Sequence, residues 1–327
     1  MEDYFKTGIN PFIIDIDEKE EYTNDDFVII QNKLREKEKN LDEFIDYLYP
    51  KDRQFNTPFD LITQRVKRGI TAQLIDIPNN NLPSKNLYKI GNGGNKNNCF
   101  VCCSTSLNSE RDYTSKNINE SLEKVGFNGY FYIFNGGFPN PTNTELKYAG
   151  VPYCFKIFMI LEAKKLGFNK VIWIDAACYA VNNPEPLFDL LDENDVVFRS
   201  FPSNMFETFD NTVYPQTIEL LNKLTHKDIR NDRKINTIVF GLNLNSEKIQ
   251  KFIEEYYEMV KIGLPFLSYF PEEVVFGSIL NKPEYKYVFN NSGKMERLYI
   301  HEVHCNKEHA RNCGYYFQQR IYVLPPK

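Results

Sequence analysis

Apolar positions fall at helical spacing in the first hundred residues and gather afterwards into short continuous runs alternating with amphipathic stretches. Between Val28 and Tyr49, the residues Leu34, Leu41, Phe44, Ile45 and Leu48 keep near-helical spacing until Pro50 ends the stretch. A second helix is predicted over Phe59 to Ile70. The segments IPNNNLPSKN and GNGGNKNN then concentrate turn-forming residues, so Gly91 to Asn98 is taken as a boundary. It divides a mostly helical N-terminal extension, residues 1–97, from a second unit, residues 98–327. In that unit Cys99 to Ser104, Tyr130 to Phe134, Lys170 to Ile174 and Thr237 to Leu244 read as strands. Ser115 to Val125, Pro152 to Leu166 and Lys248 to Val260 read as helices, the last with Ser246 as its cap and Gly263 beyond its end. Strands alternating with helices of this length predict an α/β fold, a mostly parallel twisted sheet with helices on both faces.

Charge adds a second asymmetry. Residues 1–50 hold 14 acids against 6 bases, whereas the whole chain has a formal net charge of only -5. An acidic extension therefore sits on a mildly basic body, which suits a phosphorylated ligand but has no basic block dense enough for nucleic acid. The 327 residues include seven cysteines at irregular spacing, which fits reduced thiols better than a disulfide framework. Cys102 and Cys103 lie within an apolar run and read as buried thiols. No run approaches the length of a membrane span, and MEDYFKTGIN lacks the order of a signal peptide. The expectation is a soluble, cytoplasmic protein with no membrane span and no nucleic-acid partner.

The densest chemical signal is KVIWIDAACYAVNNPEPLF, Lys170 to Phe188. An apolar run stops at Asp175 and is followed by the small residues Ala176, Ala177 and Cys178. That is the pattern of a buried strand delivering a carboxylate to its carboxyl end, where open α/β sheets bind ligands. Such a carboxylate either holds Mn²⁺ or Mg²⁺ beside a ligand's phosphates or caps the turn that follows. Lys156, in the first turn of its helix, either snorkels to solvent or reaches an anion. Ser104, Thr105 and Ser106 at a strand end offer hydrogen bonds to a base or ribose, and Arg111 offers a charge to phosphate; a plain polar turn explains them equally. Tyr148 and Tyr153 are candidates for stacking or for core packing.

The stretch VPYCFKIFMILEAKKLGFNKVIWIDAACYAVNNPEPLFDLL resembles the central block of GT-A-fold glycosyltransferases, in which a helix precedes a strand ending in a metal-binding Asp-x-Asp motif. FVCCSTS is similar to that family's first strand, NTIVFGLNLN with the helix after it to its acceptor-side strand, and Glu272-Glu273 stands where many members carry an Asp-Gln pair. The likeness covers about residues 98 to 310. This sequence departs from the motif at its second acid, reading Asp175-Ala176-Ala177-Cys178, close to an Asp-Ala-Gly-Cys version in some relatives. The resemblance implies a metal-assisted glycosyltransferase, hexosyltransferase-like, moving a sugar from a UDP- or GDP-linked donor to a hydroxyl of a glycan or protein acceptor. It implies Asp175 at the metal with His301 or His304, Lys156 near the donor, and Lys307 or Arg311 at the diphosphate. Glu272, Glu273 and Asp210 are the carboxylates available to the acceptor, with Glu272 or Glu273 as base.

Alternatives stay open at the residues themselves. His301, His304 and His309 fall in IHEVHCNKEHARNCG, where HEVH separates its histidines by three positions and so lacks the zinc-protease spacing. Cys305 and Cys313 nearby allow a structural zinc, and histidines without any ligand are equally compatible. A non-catalytic module on the same fold, recognising a glycan or a protein, is the rival function. A nucleotidyltransferase is a third, although STSLNSER lacks its Gly-rich basic loop.

Overall fold

The computed structural model describes residues 10–19, 22–48, 59–72, 84–94, 98–104, 110–135, 145–201 and 209–320. Two helices, α1 (Asn24–Leu48) and α2 (Phe59–Thr71), precede strand β1 (Ser84–Ile90). Then come β2 (Asn98–Ser104), α3 (Glu110–Lys124), β3 (Gly129–Asn135), α4 (Phe155–Lys165) and β4 (Lys170–Ile174). The second half runs β5 (Cys178–Ala180), α5 (Pro186–Asn194), β6 (Val196–Phe201), α6 (Phe209–Thr212), α7 (Pro215–Thr225), β7 (Lys234–Asn243), α8 (Glu247–Ile262) and α9 (Pro271–Leu280). It closes with β8 (Tyr299–His301), α10 (Lys307–Asn312) and β9 (Phe317–Gln319).

Strand β2 is buried at every position, as its unbroken apolar run requires of a strand covered on both faces. Side chains alternate across a strand, so Cys99 and Val101 enter one core while Phe100 and Cys102 enter the other. The six-stranded sheet has the order β1-β3-β2-β4-β7-β6. Its middle strands β3, β2 and β4 are parallel; β1 runs antiparallel to β3, and β7 runs antiparallel to both β4 and β6. Helices α3 and α5 cover one face, and α4, α7, α8 and α9 cover the other. A smaller sheet, β5-β9-β8, lies beyond the end of β4. The helices read from the sequence agree with α1 to α4 and α8, and Gly263 ends α8 with a positive φ of 75°.

The stretch before Gly91 is woven into the same sheet. β1 pairs with β3 along its whole length, from Ser84 opposite Asn135 to Ile90 opposite Gly129. Ile30, Leu34, Leu41 and Ile45 of α1 and Ile62, Val66 and Ile70 of α2 are buried in the core that also holds Val101 and Trp173. Asn10 donates from Nδ2 to the Val260 and Lys261 carbonyls at 2.8 and 3.0 Å, satisfying acceptors in the last turn of α8. Removing residues 1–95 therefore strips β1 from the sheet edge and uncovers one face of the core. The expected result is an aggregating chain without a cooperative unfolding transition; a soluble truncated protein with unchanged near-ultraviolet circular dichroism contradicts this.

Candidate active site

Trp173 and Asp175 stand two residues apart at the end of β4, on one side of the strand. The indole is buried, and its Nε1 donates to Asp175 Oδ1 at 2.7 Å. The same oxygen faces Lys156 Nζ at 3.1 Å. Lys156 is the second residue of α4, buried, with its ammonium 5.6 Å from the Trp173 ring centroid. On its other side Glu272 Oε1 lies 2.9 Å away. Thr237 completes the shell, its carbonyl and Oγ1 accepting from Nζ at 3.2 and 3.3 Å. One lysine thus joins the end of β4, the body of β7 and the first turn of α9.

Burial alone pulls the Lys156 pKa down, but Asp175 and Glu272 together more than reverse this and hold it above the ordinary value. An ammonium has three hydrogens and here meets four acceptors. The protein itself therefore engages all three Lys156 hydrogens. Asp175, by contrast, keeps 28% of its side chain exposed and stays open to a ligand.

The two glutamates differ because β7 departs from the ladder beside them. Regular pairing with β6 breaks between Val197, opposite Gly241, and Arg199, opposite Asn236. β4 pairs with β7 only from Val239 onward, so the Thr237 N–H is free to donate to Glu273 Oε1 at 3.0 Å. Thr237 Oγ1 donates to Glu272 Oε1 at 2.8 Å. Both acids occupy the first turn of α9, whose N-terminus favours negative charge, with Pro271 ahead of them needing no partner for a missing N–H. Glu272 is buried and bound to the ammonium, whereas Glu273 is partly exposed. Burial and the charge of Glu272 push the Glu273 pKa up to about 7, against the pull of the Thr237 N–H, Lys156 and Arg65.

β8 approaches the same carboxylates. Tyr299 feels the Glu273 charge, and its carbonyl accepts from Arg199 Nη1 at 3.3 Å. The His301 ring packs edge-on to Tyr299 at 5.5 Å and to His304 at 5.9 Å. Burial, then His304 and Arg199, lower the His301 pKa. Neither imidazole forms an ion pair with a carboxylate among the described residues.

The described residues by themselves do not complete a divalent-cation site. Among the described residues no three His, Cys, Asp or Glu side chains converge as a ligand group. Ala176 and Ala177 follow Asp175 with no second acid, and Asp175 Oδ1 is already engaged by an ammonium and an indole N–H.

Other expected residues lie elsewhere. Lys307 is exposed on α10, 5.2 Å from the Tyr179 ring and close to the charges of Arg311, Lys124 and Arg320. Asp210 pairs with Arg230 at 2.8 Å on the surface, and Tyr148 packs edge-on against Tyr257. Ser104 is buried at the end of β2. Thr105, Ser106 and the side chain of Arg111 lie outside the described residues. The sequence reading passed over Trp173, Thr237 and Arg65. Trp173 carried a usable signal in its two-residue spacing from Asp175; Thr237 and Arg65 carried none.

No family model matches this chain, and no curated protein matches it. Among solved structures it is similar to the crystal structure of a glycosyltransferase involved in the glycosylation of the major capsid of PBCV-1. The two share 15% identity over 70% of this chain and 94% of that one, with a TM-score of 0.36. So distant a likeness assigns no residue.

A carboxyl group with a pKa near 7 in the folded state and 4.5 unfolded binds more protons when folded. Stability therefore falls as pH rises through that window. Glu273→Gln should remove this slope, so that its thermal midpoint gains several degrees on the wild type between about pH 5 and about pH 8. Parallel midpoint profiles for the two proteins would contradict the assignment.

Proposed function

We propose that this chain is a glycosyltransferase that moves a sugar, hexose in type, from a nucleotide-diphosphate donor to an acceptor hydroxyl. One observation carries the proposal: a partly exposed carboxylate, Asp175, stands at the carboxyl end of a central strand and is held by a buried lysine beside two further acids. The likeness of the surrounding sequence to GT-A-fold enzymes supports the same reading.

In this scheme Glu273 accepts the proton. Its pKa near 7 suits a group that must be free near neutral pH yet basic enough to receive a hydroxyl proton. The acceptor oxygen bonds to the anomeric carbon, and that carbon's bond to the diphosphate oxygen breaks. The electron pair leaves with the diphosphate, and the acceptor proton passes to Glu273. Glu272 is the less suited of the two, because its Oε1 already binds the ammonium and the Thr237 hydroxyl. Lys156 orients Asp175 toward the donor without touching it.

The missing second acid after Asp175 favours a second reading, a module that binds nucleotide sugar or glycan without turnover. A panel of UDP- and GDP-linked sugars, followed by release of the nucleoside diphosphate, separates the two. The transferase reading predicts release from at least one donor, its loss in Asp175→Ala, and a drop of about 10²- to 10⁴-fold in Glu273→Gln with folding intact. Binding heat without release supports the module, and wild-type rates in Asp175→Ala would remove the transferase.

A further inference from the structure

Helix α2 presents Arg65 and Gly69 four positions apart, on one face. A Cβ at Gly69 would stand 2.7 Å from both Pro152 Cβ and Tyr153 Cδ2, so the absence of a side chain lets the Tyr153 ring lie against the helix. The Tyr153 N–H donates to the Gly69 carbonyl at 3.4 Å. Tyr153 itself has φ of 56°, a left-handed conformation that is strained for a non-glycine residue. Backbone strain, a close helix approach and a hydrogen bond together fix this ring in place.

Two cations lie close to this ring. Lys156 Nζ is 5.8 Å from its centroid and Arg65 Cζ is 5.4 Å from it. A second ring, Tyr269, lies 5.9 Å from the same guanidinium. Burial works against the Arg65 charge, yet Tyr153, Glu272 and Glu273 hold its pKa above the ordinary value. Those glutamates act through space, since no carboxylate comes within 4.0 Å of Arg65 among the described residues. Its Nε is buried and has no hydrogen-bond partner. An unpaired buried donor is costly, and a guanidinium offers a rigid fork suited to phosphate. Of the two cations at the Tyr153 ring, Lys156 has spent its donors and Arg65 has not.

We propose that Arg65, supplied by the N-terminal helix α2, is the anion-binding residue of this site and takes the phosphate oxygens of a diphosphate ligand. The assignment rests on the nucleotide-diphosphate reading of the site. It gives α2 a direct part in ligand binding and provides a positive charge for the leaving diphosphate.

Calorimetry on the full chain with inorganic pyrophosphate, UDP, GDP, uridine and guanosine tests it. Arg65→Gln should weaken pyrophosphate and the better nucleoside diphosphate by about ten- to a hundredfold while leaving the matching nucleoside unchanged. Arg65→Lys keeps the charge between the rings but loses the fork, so it should weaken the same ligands severalfold, and it serves if Arg65→Gln fails to fold. Equal pyrophosphate affinity in the wild type and a folded Arg65 variant overturns the proposal. So does a wild type that binds none of pyrophosphate, UDP and GDP. Anion binding that depends on Arg65, without turnover of any nucleotide sugar, leaves the proposal standing and removes the transferase reading instead.

Discussion

The ammonium of Lys156, held between Asp175 and Glu272 with Thr237 closing the shell, is the contact on which the rest of this site depends. Taking a lysine and a glutamate out of water carries a penalty of several kcal/mol per ion, which good geometry and further hydrogen bonds must offset. Here the offset is visible in the extra partners. Trp173 donates to Asp175, Thr237 donates to Glu272, and the helix N-terminus of α9 favours both glutamates. Removing the lysine would leave two carboxylates facing each other beside a third.

That arrangement also separates the roles of two adjacent glutamates. Lys156 and Thr237 bind Glu272 directly, while Glu273 receives one backbone N–H and feels its neighbour's charge. Residues next to each other in sequence thereby become an anchor and a candidate base. The break in the β6–β7 ladder is what makes this possible, because it releases the Thr237 N–H for a side chain. Arg65 supplies from outside the sheet the charge that Lys156 cannot spare.

Much of this was legible in the sequence where the signal is local. The strand ending at Asp175 and the helix bearing Lys156 follow from apolar runs and the charges that interrupt them, while the pair Glu272-Glu273 was marked by the resemblance to GT-A-fold enzymes. Their convergence was not, since Lys156 and Glu272 are more than a hundred positions apart and no period encodes their meeting. Strand direction was hidden for a related reason: an apolar run such as IVFGL in β7 reads the same whether its neighbour is parallel or antiparallel. β1 was masked by composition, because SKNLYKI follows a turn-rich stretch, is largely polar and exposed, and lacks the period-two pattern of a half-buried strand. The acceptors around Lys156 were equally hidden, because a lysine's sequence position says nothing of how many surround it.

Coupling between Lys156 and Glu272 is the most direct measure of whether the buried ion pair organises the site. In a double-mutant cycle of Lys156→Met and Glu272→Gln, followed by urea unfolding, each single change should cost several kcal/mol, about 3–5 where one charge is left unpaired. The double variant should recover part of that loss, with a coupling energy of about 1–3 kcal/mol. Costs that add within about 0.5 kcal/mol would show that the two side chains do not interact in solution and would contradict the account.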